Sequence, residues 1–249
     1  MPQPLSKFPK VHSIGFDTNA LANKPDMAVL VANIFAASAQ IDHELSLILV
    51  RLLGADETPA LAMFGILESQ SLQRKALIAA AQAHFEDEPA EFETFSAIIS
   101  AVECAQADRH RIAHGVWAKS DQLPDALLVA DTKVLKESTI ALSQLKTARG
   151  PKAEEAVKKF ASLFQGVYVY KKADLERVRR DLAEAEGIMS QYQIYLEPMF
   201  TEEHAAKFAI PVGTRAQALQ KLSTSRLFRQ ALIRVRDKAA KNKPQSQCE

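Results

Sequence analysis

The chain has 249 residues, 47% of them apolar and 24% charged, with a formal net charge of +1. This composition fits a soluble globular protein with a sizeable core and excludes a polycation as a whole. With eight glycines and neither a G-x-G-x-x-G nor a G-x-x-x-x-G-K string, classical nucleotide loops are excluded, and Cys104 and Cys248 form no disulfide framework, which suits a reducing cytoplasm.

Residues 1–24 carry Pro2, Pro4 and Pro9 without periodicity and read as an irregular arm that lacks a signal-peptide apolar region. Pro25 or Asp26 opens a first long helix, with the acid at the positive end of the helix dipole. Its most apolar run, Met27 to Ala39, is too short to span a bilayer and contains Asn33, so no membrane partner is expected. Leu45, Ile48, Leu49 and Leu52 form its stripe, and Gly54 stops it. Asp42, His43 and Glu44 precede that stripe. They read either as a solvated flank or as the source of a carboxylate for Arg109 or Arg111. Thr58 and Pro59, in the order N-cap then first helical residue, start a second stretch that runs to about Phe85, with a bend at Gly65 or within 68–73.

Asp87-Glu88-Pro89 opens a third helix. Its apolar stripe, Phe92, Phe95, Ile99 and Val102, continues at helical spacing to Gln106, Arg109 and Ala113. An arginine therefore falls on the face that should be buried. A guanidinium keeps its proton, so it needs a carboxylate, a phosphate or carbonyls there. His114 follows five residues later, and Gly115 is the usual residue just past a helix end. Val116–Lys119 and Ala126–Asp131 read as a hairpin, with Trp117 as a packing anchor rather than a ligand platform. Leu135–Ala148 and Lys152–Leu163 read as helices, Gly166–Tyr170 as a third strand and Ala173–Leu196 as a long amphipathic helix. Thr201–Ala209 adds one or two turns. Arg215–Ala239 is a basic helix, and Asn242–Glu249 a disordered tail. From Arg215 onward, nine Lys or Arg face two acids, a net +7. That charge either adds non-specific RNA affinity or marks a solvated helix on the bundle.

Arg109-His110-x-x-x-His114-Gly115 resembles the R-[N/H/D]-x-x-x-H signature of HEPN domains. The longer string, R-x-x-I-A-H-G-x-W from Arg109 to Trp117, is similar to a bacterial branch of that superfamily. Ile41-Asp42-x-x-Leu45 and the helix bearing Lys75 resemble related bundles, including mannitol-repressor-like proteins. In layout the resemblance covers about residues 25–196, and the motif is its specific part. It implies an all-α HEPN-like bundle over 25–198, with a small β-hairpin after the motif helix and a probable insertion at 133–166. A helical extension and tail would occupy 199–249. It also implies a metal-independent endoribonuclease, of the kind found in toxin–antitoxin systems, abortive-infection proteins and type VI CRISPR effectors. Arg109, His110 and His114 are the matching positions. Many relatives have Asn where this chain has His110.

RNA carries its own nucleophile, the 2′-hydroxyl. Cleavage needs a base, an acid and positive charge on the phosphorane. His114 suits proton transfer and Arg109 suits charge stabilisation. His110 would orient the phosphate or hold a water. No metal or other cofactor is expected: Arg111 stands where H-E-x-x-H needs Glu, and no third ligand is evident. One chain offers one Arg–His pair, and the HEPN resemblance implies a homodimer that brings in a second. The expected partners are single-stranded RNA, a second copy and, in a toxin setting, an antitoxin or regulator protein. The competing reading is a non-catalytic helical module that binds RNA or protein.

Overall fold

The computed structural model describes residues 2–11, 13–54, 56–67, 69–147, 164–196 and 215–242, with 149–150, 152, 154–155 and 157–158 between them. The readings for Lys152–Leu163 (apart from those few positions), Thr201–Ala209 and 243–249 lie outside the described residues. Among those described are eight α-helices: α1 (Pro25–Leu53), α2 (Glu57–Ile66), α3 (Gln70–His84), α4 (Pro89–His114), α5 (Thr132–Thr147), α6 (Lys172–Leu196), α7 (Arg215–Thr224) and α8 (Arg226–Asn242). Five strands complete the chain: β1 (Gln3–Pro4), β2 (Gly15–Phe16), β3 (Val116–Lys119), β4 (Ala126–Ala130) and β5 (Val167–Lys171). The protein is mostly helical with one small antiparallel sheet, a larger sheet than the hairpin expected. It divides into two compact units, 1–36 with 106–180, and 37–105 with 181–249. Each takes part of α1, α4 and α6.

The first unit is built on the sheet, in the order β1-β5-β4-β3-β2. The unbroken apolar run Ala126–Ala130 is the pattern of a strand covered on both faces. It becomes the central strand, buried at all five positions. Its register pairs Trp117 with Val129 and Leu128 with Val169. Alternation sends Ala118, Leu128, Val167 and Val169 to one face, where Leu5, Phe8, Val11 and Ile14 cover them. The N-terminal arm is thus not merely irregular. It supplies this cover and both edge strands, β1 on β5 and β2 on β3. Strands of two residues leave no alternation to read in the sequence.

Gly115 lies just past the end of α4, as expected. Among the described glycines, positive φ occurs only at Gly54 (56°), which does end α1, and at Gly150 (61°). Gly115 is required for a different reason. A Cβ there would lie 2.3 Å from Val129 Cγ1 and 2.6 Å from the Arg111 carbonyl oxygen. Backbone cannot retreat as a flexible side-chain end can, so overpacking of this kind costs ~1–3 kcal/mol. Gly115→Ala is therefore expected to lower the unfolding free energy by that much, read as a lower urea midpoint with an unchanged m-value. A midpoint equal to the wild type would show that the strand and helix end separate freely.

The second unit is helical. Its core includes Ile41, Ile48, Leu77, Phe95, Ile98, Leu182, Met189 and Tyr192, all under 2% exposed. Phe95 and Tyr192 meet with centroids 5.9 Å apart. The stretch expected to bend at Gly65 or within 68–73 is two helices, broken between Ile66 and Gln70. Leu67 turns extended, and Ser69 caps α3 by accepting the Leu72 N–H at 3.2 Å. The basic helix is likewise split. Ser225 accepts the Phe228 N–H at 3.2 Å and so starts α8, while Glu184 takes the Ser225 hydroxyl at 2.8 Å and the Leu227 N–H at 2.9 Å. Part of the segment's positive charge is neutralised within the unit: Arg215 pairs with Glu91, Arg226 with Asp181 and Glu184, and Arg236 with Glu93.

Candidate functional site

The last two turns of α4 present three faces, each with a different task. Asp108 and Arg111, three residues apart, turn toward the sheet. Arg111 Nη1 donates to Asp108 Oδ1 at 2.7 Å and to the Tyr170 hydroxyl at 3.1 Å. Tyr170 donates to the same carboxylate oxygen at 3.1 Å, and Arg177 Nη2 reaches Asp108 Oδ2 at 3.1 Å. The Arg111 guanidinium also lies 4.1 Å from the centroid of the Tyr168 ring. Tyr168 and Tyr170 are two apart on β5, so the pleat places both rings on one face. Burial pushes the Tyr170 phenol well above its ordinary value, and the adjacent Asp108 carboxylate adds to that. This cluster anchors the helix end.

The second face carries two imidazoles. His110 and His114 are one turn apart, which stacks them along the helix. Both are exposed, and their ring centroids are 4.5 Å apart at 50°. Burial first, then the neighbouring His114 and Arg109, holds His110 below the ordinary imidazole value of 6.5. The unfolded chain therefore takes up this proton first as pH falls. His110 costs nothing above 6.5, and the cost builds up as pH falls from 6.5 to its lower folded value and stays in full below it. An NMR pH titration is expected to place the His110 midpoint below 6.5, with a flatter acid-side stability profile for His110→Asn. A midpoint at or above 6.5 contradicts the geometry.

Arg109 occupies the third face, in line with Ile98, Val102, Ala105 and Ile112, all buried. The arginine expected on a buried face is half-buried there. Its Nε is shut off from solvent with no hydrogen-bond partner, and it forms no ion pair among the described residues. Asp42 and Glu44, expected as its supporting carboxylates, belong to the second unit. Asp42 accepts from Gln70 Nε2 at 3.5 Å, and Glu44 is bonded by Gln40 and Gln193. The carboxylate that serves Arg111 is Asp108.

His114 remains helical, because the Gly115 N–H donates to the Arg111 carbonyl at 2.9 Å. Five helical residues keep Arg109 and His114 about 140° apart around the axis. The imidazole brought to His114 within the chain is His110.

Beside this helix end opens a cleft of about 490 Å³, with Phe16, Asp17, Thr18, Ala113, Gly115 and Trp117 in its walls. Trp117 is half-buried and donates its indole N–H to the Ile112 carbonyl at 2.8 Å. It therefore packs, as expected, and also lines the cleft. Asp17 Oδ1 accepts the Asn19 N–H at 2.8 Å, and Oδ2 pairs with Lys119 at 2.6 Å. These two contacts hold its carboxyl below the usual carboxylate range. The sequence reading had passed over Phe16, Asp17, Tyr168, Tyr170 and Arg177. For the tyrosines a signal existed in their i, i+2 spacing. For Phe16 and Asp17 there was none, because the arm's course is fixed by its pairing with β3.

Among the described residues, no group of three or more His, Cys, Asp or Glu could hold a metal ion, and no helix is long and apolar enough to cross a membrane. No protein-family model matches the chain, and no curated protein or solved structure matches it significantly, so the reading of this site rests on its own residues and geometry.

Proposed function

We propose that the chain is a HEPN-type, metal-independent endoribonuclease acting on single-stranded RNA. The observation that carries this reading is the exposed His110–His114 pair beside a sheltered arginine that has no carboxylate among the described residues. A phosphodiester offers such an arginine what it lacks, a diffuse anion with several acceptors. The 2′-hydroxyl attacks the adjacent phosphorus and gives its proton to a base. The P–O5′ bond breaks, and the leaving oxygen takes a proton from an acid. The products are a 2′,3′-cyclic phosphate and a 5′-hydroxyl, with no redox partner. His114 performs one of the two proton transfers, and Arg109 stabilises the phosphorane charge. His110, held neutral, orients the phosphate or a water. The other transfer falls to the same residues of a second copy, in a homodimer joined through α4.

The test is incubation of the purified protein with single-stranded RNA in EDTA. Fragments are expected whose 3′ ends resist phosphatase until acid opens the cyclic phosphate. Free 3′-hydroxyl ends, or cleavage that EDTA abolishes, would falsify this mechanism. A second reading, a non-catalytic module that binds RNA or protein, draws on the closed last turn of α4, which leaves Arg109 and His114 on different faces of one helix. RNA bound but never cut would favour it.

A further inference from the structure

The cleft beside the helix end has no part in the proton transfers. The residues on either side of His114, Ala113 and Gly115, both lie in its wall. The cleft therefore adjoins the helix end that carries His114. Its volume, about 490 Å³, falls within the ~300–1,000 Å³ of small-molecule sites. Its side chains are of two kinds. Phe16, 38% exposed, and half-buried Trp117 are aromatic surfaces. Asp17 is an acceptor-only carboxylate.

Asp17 is already oriented, one oxygen by Asn19 and the other by Lys119. Each carboxylate oxygen has a second lone pair, so both still accept from a ligand. A ligand matched to this cleft is flat and apolar on its faces and carries two adjacent N–H donors on one edge. Guanine has that edge, in N1–H and the exocyclic amine. Adenine and cytosine offer an amine beside a ring acceptor, and uracil one N–H between two carbonyls. Bases in single-stranded RNA are read in this way, by aromatic stacking and by contacts to their pairing edge.

We propose that this cleft holds a guanine base of single-stranded RNA, against Phe16 and Trp117 and with the Asp17 carboxylate on its N1–H and N2–H edge. The assignment rests on the RNA reading of the adjoining site and deepens it, making the enzyme selective for a guanosine near the scissile bond. Lys119, paired with Asp17 at 2.6 Å, places a cation beside that carboxylate.

Trp117 is the sole tryptophan of the chain, so its fluorescence reports on the cleft directly. Titration with GMP, AMP, CMP and UMP is expected to show quenching that saturates at the lowest concentration for GMP. A 2′-O-methyl oligouridine with a single guanosine, which cannot be cut, is expected to bind more tightly than GMP. An oligomer no tighter than GMP would identify a free-nucleotide site and overturn the RNA assignment. Phe16→Ala is expected to weaken binding by ~5- to 100-fold, the range for loss of one stacking partner, with Phe16→Tyr restoring it. Asp17→Asn keeps the Oδ1 acceptor of the 17–19 turn and is expected to abolish the preference for GMP over AMP. Equal quenching by all four nucleotides, or a preference unchanged in Asp17→Asn, rejects the proposal. His114→Ala separates the two readings. Selective guanosine binding by that variant, together with a wild type that cuts no RNA, leaves the cleft assigned and removes the nuclease. Cleavage lost in that variant, with no base preference in the wild type, does the reverse.

Discussion

His114→Ala is expected to reduce RNA cleavage by ~10²–10⁴-fold, the range for loss of a general acid or base. The fold should survive, because the imidazole is exposed and its ring contact is with His110, itself exposed. The loss should appear in kcat with little change in KM, since a proton in flight stabilises only the transition state. Arg109→Lys should also fail. Its Nε is shut off from solvent without a hydrogen-bond partner among the described residues, and an ammonium gives a point charge in place of a planar fork. His110→Asn should be the mildest of the three, because an amide can still orient a phosphate or a water. Single-turnover rates for the three variants, with circular dichroism as a control, test this order. Wild-type turnover in His114→Ala would remove the assignment.

Asp108→Ala is expected to produce the largest stability loss of any single change at the site. Asp108 faces Arg111, Arg177 and the Tyr170 hydroxyl together. Its side chain is 19% exposed, those of the two arginines 34% and 25%. Removing the acceptor leaves two cations and a buried phenol facing one another. A fully buried pair would lose ~3–5 kcal/mol on truncation. Solvent reaches these arginines, so the expected cost is lower, about 2–3 kcal/mol. Asp108→Asn keeps one acceptor oxygen and should cost less. Denaturant titration gives both values, and a shift below half a kilocalorie for Asp108→Ala would show that water replaces the carboxylate without penalty. RNA cleavage should fall in step with the folded fraction, which distinguishes an anchor from a catalytic group.

The sequence was informative where periodicity or a strong local signal spoke. The α1 stripe, the α4 stripe into Arg109 and the apolar run 126–130 each announced their element. Arg109 is where the expected pattern met a cation, and the structure keeps it sheltered. The partners were the harder part. A carboxylate for the motif arginines is expected on the first helix, because a sheltered guanidinium needs compensation and that helix is the natural neighbour. Arg111 found Asp108, three residues away on its own helix, in the one spacing that helix geometry guarantees. Gly115 follows the end of α4 as expected, yet a glycine after a helix fits two explanations, a left-handed cap and a close approach, equally well. Only the strand beside it, Val129, separates them. Ser69 and Ser225 broke two helices through single side-chain caps, which outweigh propensity at an end yet look unremarkable inside a polar run.

The arm that forms β1 and β2 occupies both outer edges of the sheet with one piece of chain. Each edge strand is only two residues long, and β1 contains Pro4, which has no N–H to offer a neighbour. Such ends are poor templates for another chain. Behind them stand Val167-Tyr168-Val169-Tyr170 and Val116-Trp117-Ala118, segments of high β-propensity. A protein shortened past Phe16 would keep every helix and every motif residue, yet present both of these ladders uncovered. Self-association through open strands, rather than unfolding, is the failure such a truncation invites.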